Sequence, residues 1–379
     1  MKRVKEAVKE IKQVARKEPA VAAEGAVILL EKLSPALEQV DSSSGAIGSA
    51  VNKAIESLAP IIAKAEVDPK TRQRWMERLW QALQDDDIPY IELLGDHWGE
   101  LCATPEIASY WADEFLPTLN TVWSRKGSGF TYFKGTSACL ASLSAAARHD
   151  ELLALLNQSP YKWWAYRQWG VQALVAQGKL EEAIRFAEDS RGRNEPDGQI
   201  SERCEAILLS MGQHEEAYSR FALQANNKTT HLATFRALVR KYPNKSAESI
   251  LNDLIASTPG DEGRWFAAAK DAGLYEMAIQ VARSSPCDPR TLTRAARDFS
   301  EKQPLFACEA GLLALHWISE GYGYDITGKD VLDAYSAATK AASLADTEPD
   351  LVDASIRPMY TAHDGQFMER VLGRYVPKA

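Results

Sequence analysis

Apolar residues return every three to four positions along almost the whole chain, and strict alternation is nearly absent, so the pattern predicts an all-α protein. Val4, Val8, Ile11 and Ala15 fall on one face of a first helix, and a second helix is expected over Ala20–Leu33, closed by Ser34-Pro35. The Asp41–Gly45 segment reads as a turn, followed by a helical stretch to Lys64 that Pro60 should kink or split. Asp68-Pro69 marks the next start, with the carboxylate as N-cap and the proline at the first helical position. Trp75, Leu79 and Leu83 share that helix's apolar face. Asp87-Ile88-Pro89 and Thr104-Pro105 read as two further starts. The clearest internal loop is Ser124–Gly135, followed by an Ala/Ser-rich helix over Thr136–Arg148. Near the C-terminus, Thr327 and Asp330 are spaced as a capping box. These signals divide the chain into a basic amphipathic helix (1–18), an N-terminal helical region (20–123), a loop (124–135), a helical-repeat region (136–345) and C-terminal helices or tail (346–379).

The repeat region carries the most specific pattern. Gly178-Lys-Leu-Glu-Glu-Ala183-Ile matches Gly212-Gln-His-Glu-Glu-Ala217-Tyr at a spacing of 34 residues, and Gly273-Leu-Tyr-Glu-Met-Ala278-Ile follows 61 residues later. Glycine ends one helix with a left-handed residue. Acids then open the next helix and favour its dipole. Alanine sits where two helices cross closely. A pair without the glycine fits between, over Thr230–Lys241 and Ser246–Ser257. On Gly178, Ala183, Gly212, Ala217, Gly273 and Ala278, with Leu174 and Leu208 in the preceding helices, residues 160–285 resemble the tetratricopeptide repeat family in a degenerate form. That resemblance implies a right-handed α-solenoid of stacked antiparallel helix pairs, each burying its apolar face on the next. The run from WFAAAKDAGLYEMAI to GYGYDITGKDV is also similar to a group of hypothetical bacterial proteins; this implies a soluble bacterial setting and no activity.

Composition narrows the classes. The formal charge of −8 argues against wholesale nucleic-acid binding, although Met1–Lys17 carries seven Lys/Arg against two Glu. No run of 18 apolar residues suggests a membrane span. The five cysteines are odd in number and widely spaced, with no C-x-x-C pair, so neither a disulfide framework nor a structural zinc site is expected, and a reducing cytoplasm is.

Three clusters are candidates for function. The loop holds Arg125, Lys126, Tyr132 and Lys134; it fails the phosphate-loop pattern, because Lys134 precedes Gly135. Tyr161–Trp169 holds three Trp, two Tyr and Arg167, with Trp163 and Tyr166 on one helix side and Trp164 on another. Glu92, Asp96 and Glu100 are four apart and would share a helix face, a weak hard-metal pattern beside an acidic run at 85–87. No H-E-x-x-H or G-x-S-x-G motif is present. The expectation is a non-catalytic scaffold or adaptor with no cofactor or metal. It would anchor a protein or peptide partner through Trp164, Arg167, Trp169, Arg125, Lys126, Tyr132 and Lys134. Alternatives are a nucleic-acid-binding repeat protein and an accessory subunit of an enzyme or effector system.

Overall fold

The structure is a computed structural model and describes residues 2–37, 46–124, 132–348 and 350–377. Every regular element among them is helical, with no strand, as the periodicity predicts. The chain forms two compact units, Met1–Met211 and Gly212–Ala379. No helix among the described residues is long and apolar enough to cross a membrane.

Unit 1 begins with α1 (Lys2–Val14), α2 (Pro19–Leu37), α3 (Ala46–Lys64) and α4 (Pro69–Gln84). The half-buried face of α1 packs on α2 and α3 and leaves its lysines outward. Asp68 caps α4 by accepting from the Lys70 and Thr71 N–H groups at 3.0 and 3.1 Å, and Trp75, Leu79 and Leu83 are buried on one face. The helix end at Pro35 and the splitting of the helix at Pro60 need correction. Pro35 lies inside α2, which continues to Leu37, and Pro60 lies inside α3 without splitting it. Each proline removes one backbone bond. Buried Leu33 and Leu37 in one case, and Leu58, Ala59 and Ile62 in the other, outweigh that loss by packing. The Asp41–Gly45 turn lies outside the described residues.

After α4 comes a 3₁₀ turn (Glu92–Gly95), then α5 (Trp98–Cys102) and α6 (Pro105–Ser124), the last started by Thr104, which accepts from the Ile107 N–H at 3.3 Å. Pro89 starts no helix: Asp85 closes α4, and buried Asp86 accepts from the Ile91 N–H at 2.9 Å and from the Ser34 hydroxyl. The carboxylate therefore folds the Asp85–Ile91 turn inward instead of capping a new helix. Unit 1 continues with α7 (Thr136–Ala145), α8 (His149–Gln158), α9 (Trp164–Ala176), α10 (Leu180–Glu188) and α11 (Asp197–Ser210). One apolar core takes residues from both sides of the 124–135 loop, from Ala23 to Ala173.

Arg72 ties this unit together. It is 4% exposed and donates to the carbonyls of Ile62, Ala63 and Ala65 at the end of α3 and of Leu101 in α5, at 2.5 to 3.4 Å. The guanidinium fork satisfies carbonyls that a helix end leaves without partners and sits at the favourable end of the helix dipole.

Unit 2 opens with a helical stretch made of α12 (His214–Ala217), a π-turn (Tyr218–Ala222) and α13 (Leu223–Ala225). Next come α14 (His231–Lys241) and α15 (Ala247–Ala256), whose starts are capped by Thr230 and Ser246. A 3₁₀ turn at Glu262–Trp265 leads into α16 (Phe266–Asp271), α17 (Tyr275–Ser284), α18 (Pro289–Phe299), α19 (Pro304–Ser319) and α20 (Gly328–Leu344). The last two helices are α21 (Leu351–Ile356) and α22 (Gly365–Leu372). Asp330 accepts from the Thr327 N–H at 2.9 Å, as the spacing predicts, and also pairs with Arg290 at 2.8 Å. At the α19–α20 crossing, a Cβ added to Gly311 would lie 2.7 Å from the Ala338 Cβ, so at this point the helices approach through two small residues.

The repeat glycines do what their sequence context asks. Gly178, Gly212 and Gly273 have φ of +75, +74 and +75°, and Ala183, Ala217 and Ala278 are fully buried. Lys179 donates to the Leu174 carbonyl at 2.9 Å and Leu274 to the Ala269 carbonyl at 3.0 Å, the six-to-one bond of a glycine-terminated helix. The same bond closes α7 (Arg148 N–H to Leu143, 2.9 Å) and α19 (Tyr322 N–H to Trp317, 2.9 Å). Gly321 supplies the left-handed residue at α19, whereas α7 uses Ala147 at φ +56°. Ala147-Arg-His-Asp-Glu-Leu152 is thus a further copy of the turn, hidden in the sequence because alanine replaces glycine. Alternate helices also touch within each unit: α7 meets α9, α14 meets α16, and α17 meets α19.

Candidate cleft lined by carboxylates and aromatic rings

Unit 1 contains a cleft of about 450 Å³. Four separated stretches build it, with Asn52 of α3 at one side. The 3₁₀ turn supplies Glu92, with Asp96 just past its end; the chain entering α7 supplies Tyr132 and Lys134; the start of α9 supplies Trp163, Ala165 and Tyr166. Local chemistry fixes each wall. The Asp86 bonds hold the turn that presents Glu92. Thr136 donates its hydroxyl to the Phe133 carbonyl at 2.7 Å, bending the chain into α7. Glu195 accepts from the Trp164 N–H at 2.7 Å and so caps the start of α9 from the turn after α10.

Inside the cleft, the Tyr132 hydroxyl donates to Glu92 at 3.0 Å. Trp163 stacks on Tyr161 at 4.4 Å and lies 5.6 Å from the Tyr166 ring. Burial is the main influence on Asp96 and raises its carboxyl above the usual aspartate range, against the lowering effect of the Ser137 hydroxyl. Burial, with the nearby Glu92 charge, likewise holds the Tyr132 and Tyr166 phenols above their ordinary value. Lys134 lies on the wall, but its ammonium donates to the Gln84 and Asp86 carbonyls at 2.7 and 2.8 Å and so closes the end of α4.

The seven residues expected to grip a partner separate. Tyr132 and Lys134 line the cleft. Arg125 and Lys126 lie outside the described residues. Trp164 and Arg167 are 4% and 6% exposed and belong to the interior, which corrects their expected place in a groove that grips a partner. Arg167 donates to Ser190 at 2.7 Å and to the Phe186 carbonyl and Asp189 at 3.0 Å, and stacks 3.6 Å from the Phe186 ring. It fastens α9 to the end of α10. Trp169 is half-buried against the core. Trp163 and Tyr166, from the same aromatic run, take the cleft positions instead. The faces of α9 distinguish these residues, as the periodicity indicated; their burial order depends on α10.

The acidic series does not share one helix face. The 3₁₀ turn ends at Gly95 and α5 starts at Trp98, so Glu100 is carried away from the cleft and meets the His97 Nδ1 at 3.2 Å. Among the described residues no three His, Cys, Asp or Glu side chains converge as a metal ion requires. All five cysteines are buried and none is in a disulfide, and burial pushes the thiols of Cys102, Cys139 and Cys287 up to about 12.

Unit 2 has a groove of about 510 Å³ lined by Glu276, Ile279, Gln280, Arg283, Ser284 and Glu309, in which Arg283 pairs with Glu309 at 3.0 Å, and a smaller cleft of about 240 Å³ with Lys228, His231 and Trp265 among its walls and no carboxylate. His231 lies edge-on to Trp265 at 4.5 Å, and burial lowers its pKa. Comparisons with family models, curated proteins and solved structures find no match to this chain.

Proposed function

We propose that this chain is a non-catalytic helical-repeat scaffold, a right-handed α-solenoid of tetratricopeptide type, that holds a protein or peptide segment in the unit 1 cleft. The observation that carries the reading is the convergence there of residues 92–96, 132–137 and 163–166, which lie far apart in sequence. Glycine-type helix ends at Ala147, Gly178, Gly273 and Gly321, and the contacts between alternate helices, support the repeat character. A concave site with aromatic walls and a few placed charges suits recognition of a side chain. Ala165 is exposed on the cleft wall, so Ala165→Trp fills the cleft without touching the core. Affinity capture from native lysates should recover a stoichiometric partner with the parent chain and lose it with the Trp variant. Equal recovery by both, or no partner under several growth conditions, overturns the reading.

A further inference from the structure

The chemistry of the occupant follows from the walls of the same cleft. We infer that the cleft takes a cationic side chain, a Lys ammonium or Arg guanidinium carried by the partner segment. The carboxylates of Glu92 and Asp96 would neutralise it, and the rings of Tyr132, Trp163 and Tyr166 would face it. This rests on the scaffold reading and specifies what that scaffold grips.

Three observations converge. First, neither carboxylate takes part in an ion pair among the described residues: Glu92 accepts from the Tyr132 hydroxyl, and Asp96 from Ser137. Burial and the Glu92 charge disfavour the ionised form of Asp96 more than His97 and Ser137 favour it, and an entering cation would offset that penalty. Second, Lys134 is the one cation on the described wall, and its ammonium is committed to the Gln84 and Asp86 carbonyls. It closes a helix end without entering the carboxylate pair. Third, four aromatic side chains, Tyr132, Phe133, Trp163 and Tyr166, stand among the other wall residues, and aromatic rings attract ammonium and guanidinium groups through their quadrupole. An anionic or purely aliphatic group would match only part of this lining. In unit 2, the groove with Glu276 and Glu309 already holds its own cation, Arg283, paired with Glu309 at 3.0 Å, and the smaller cleft with Lys228 and His231 has no carboxylate.

The test uses a random heptapeptide library displayed on phage, panned against the full chain. Selected peptides should carry Lys or Arg at one fixed position. A synthetic winner should lose affinity at least tenfold when that residue becomes norleucine or citrulline, and likewise when the protein carries Glu92→Gln or Asp96→Asn with an unchanged circular-dichroism spectrum. Both substitutions keep the side-chain shape, and the Gln variant alters a site nearer the surface should the Asn variant fold poorly. Winners without a basic residue that are still blocked by Ala165→Trp overturn the cation assignment and leave the scaffold intact. Winners indifferent to Ala165→Trp overturn the cleft as the site, and an unenriched library overturns both readings.

Discussion

The two units are built from the same device and present different chemistry. Each turns one helix into the next through a left-handed residue and stacks small, buried alanines behind it. Yet among the described residues unit 1 opens a cleft with two carboxylates outside any ion pair and four aromatic side chains, while unit 2 opens a groove whose Glu309 already pairs with Arg283, and a smaller cleft with Lys228, His231 and Trp265. The same hairpin framework therefore presents different side chains in its clefts, set by the few residues at helix starts and turns. The internal ties differ as well. Unit 1 relies on buried guanidinium groups, Arg72 and Arg167, that close helix ends, whereas α19 and α20 of unit 2 meet through Gly311 and Ala338.

That contrast can be broken first at Arg72. Arg72→Ala leaves several buried carbonyls without donors and should lower the stability of unit 1 by about 3–5 kcal/mol. Urea denaturation followed by circular dichroism should then split into two transitions, with the unit 2 transition unmoved. The corresponding insult to unit 2 is Gly311→Ala, which forces a methyl group against Ala338. It should cost about 1–3 kcal/mol in the transition that Arg72→Ala leaves alone.

A smaller pair of changes sharpens what the units share. Around Gly178 no atom lies within 4 Å of an added Cβ, so Gly178→Ala tests backbone strain alone and should destabilise by about 1–2 kcal/mol. Ala147→Gly removes the same strain at the equivalent turn and should stabilise by roughly 0.5–1 kcal/mol once the extra freedom of the unfolded chain is counted. Opposite signs in thermal melts would establish the two turns as one motif; equal signs would separate them.

The gentlest test concerns the carboxylate inside the cleft. The folded pKa of Asp96 is raised, so its ionised form opposes folding above the unfolded pKa, and the opposition vanishes as acidification protonates it in both states. His97 and Glu92 act on the same group in opposite directions. Asp96→Asn should therefore raise the melting temperature at neutral pH, with the difference from the parent chain shrinking as pH falls through that raised pKa. A variant that melts lower at every pH would show the carboxylate to be a structural anchor.

What was legible in the sequence is what depends on neighbours a few residues away. The caps at Asp68, Thr104 and Thr327, and the turns at Gly178, Gly212 and Gly273, are local devices, and each stands where its spacing placed it. Pro35 and Pro60 misled because propensity is local while the leucines and isoleucine around them are buried by distant helices. Ala147 escaped notice because the left-handed turn is read from glycine, although Asp150 and Glu151 open the next helix as in the other copies. Arg167 was misplaced for a different reason: its residue type suits partner binding and helix-end closure equally, and only the end of α10 decides between them. The cleft itself has no linear signature, since residues 92–96, 132–137 and 163–166 meet only after α7 and α9 have packed.

The sealed cysteines give the molecule an intrinsic clock. Cys102, Cys139 and Cys204 lie in the first unit and Cys287 and Cys308 in the second, every one shielded from water. An alkylating reagent finds no thiolate until a helix swings outward, so the pace of modification at each sulfur times the opening of its own neighbourhood. Mass spectrometry of a pulse-labelled sample would thereby chart, without any engineered label, which rods loosen first and whether a captured ligand holds them shut.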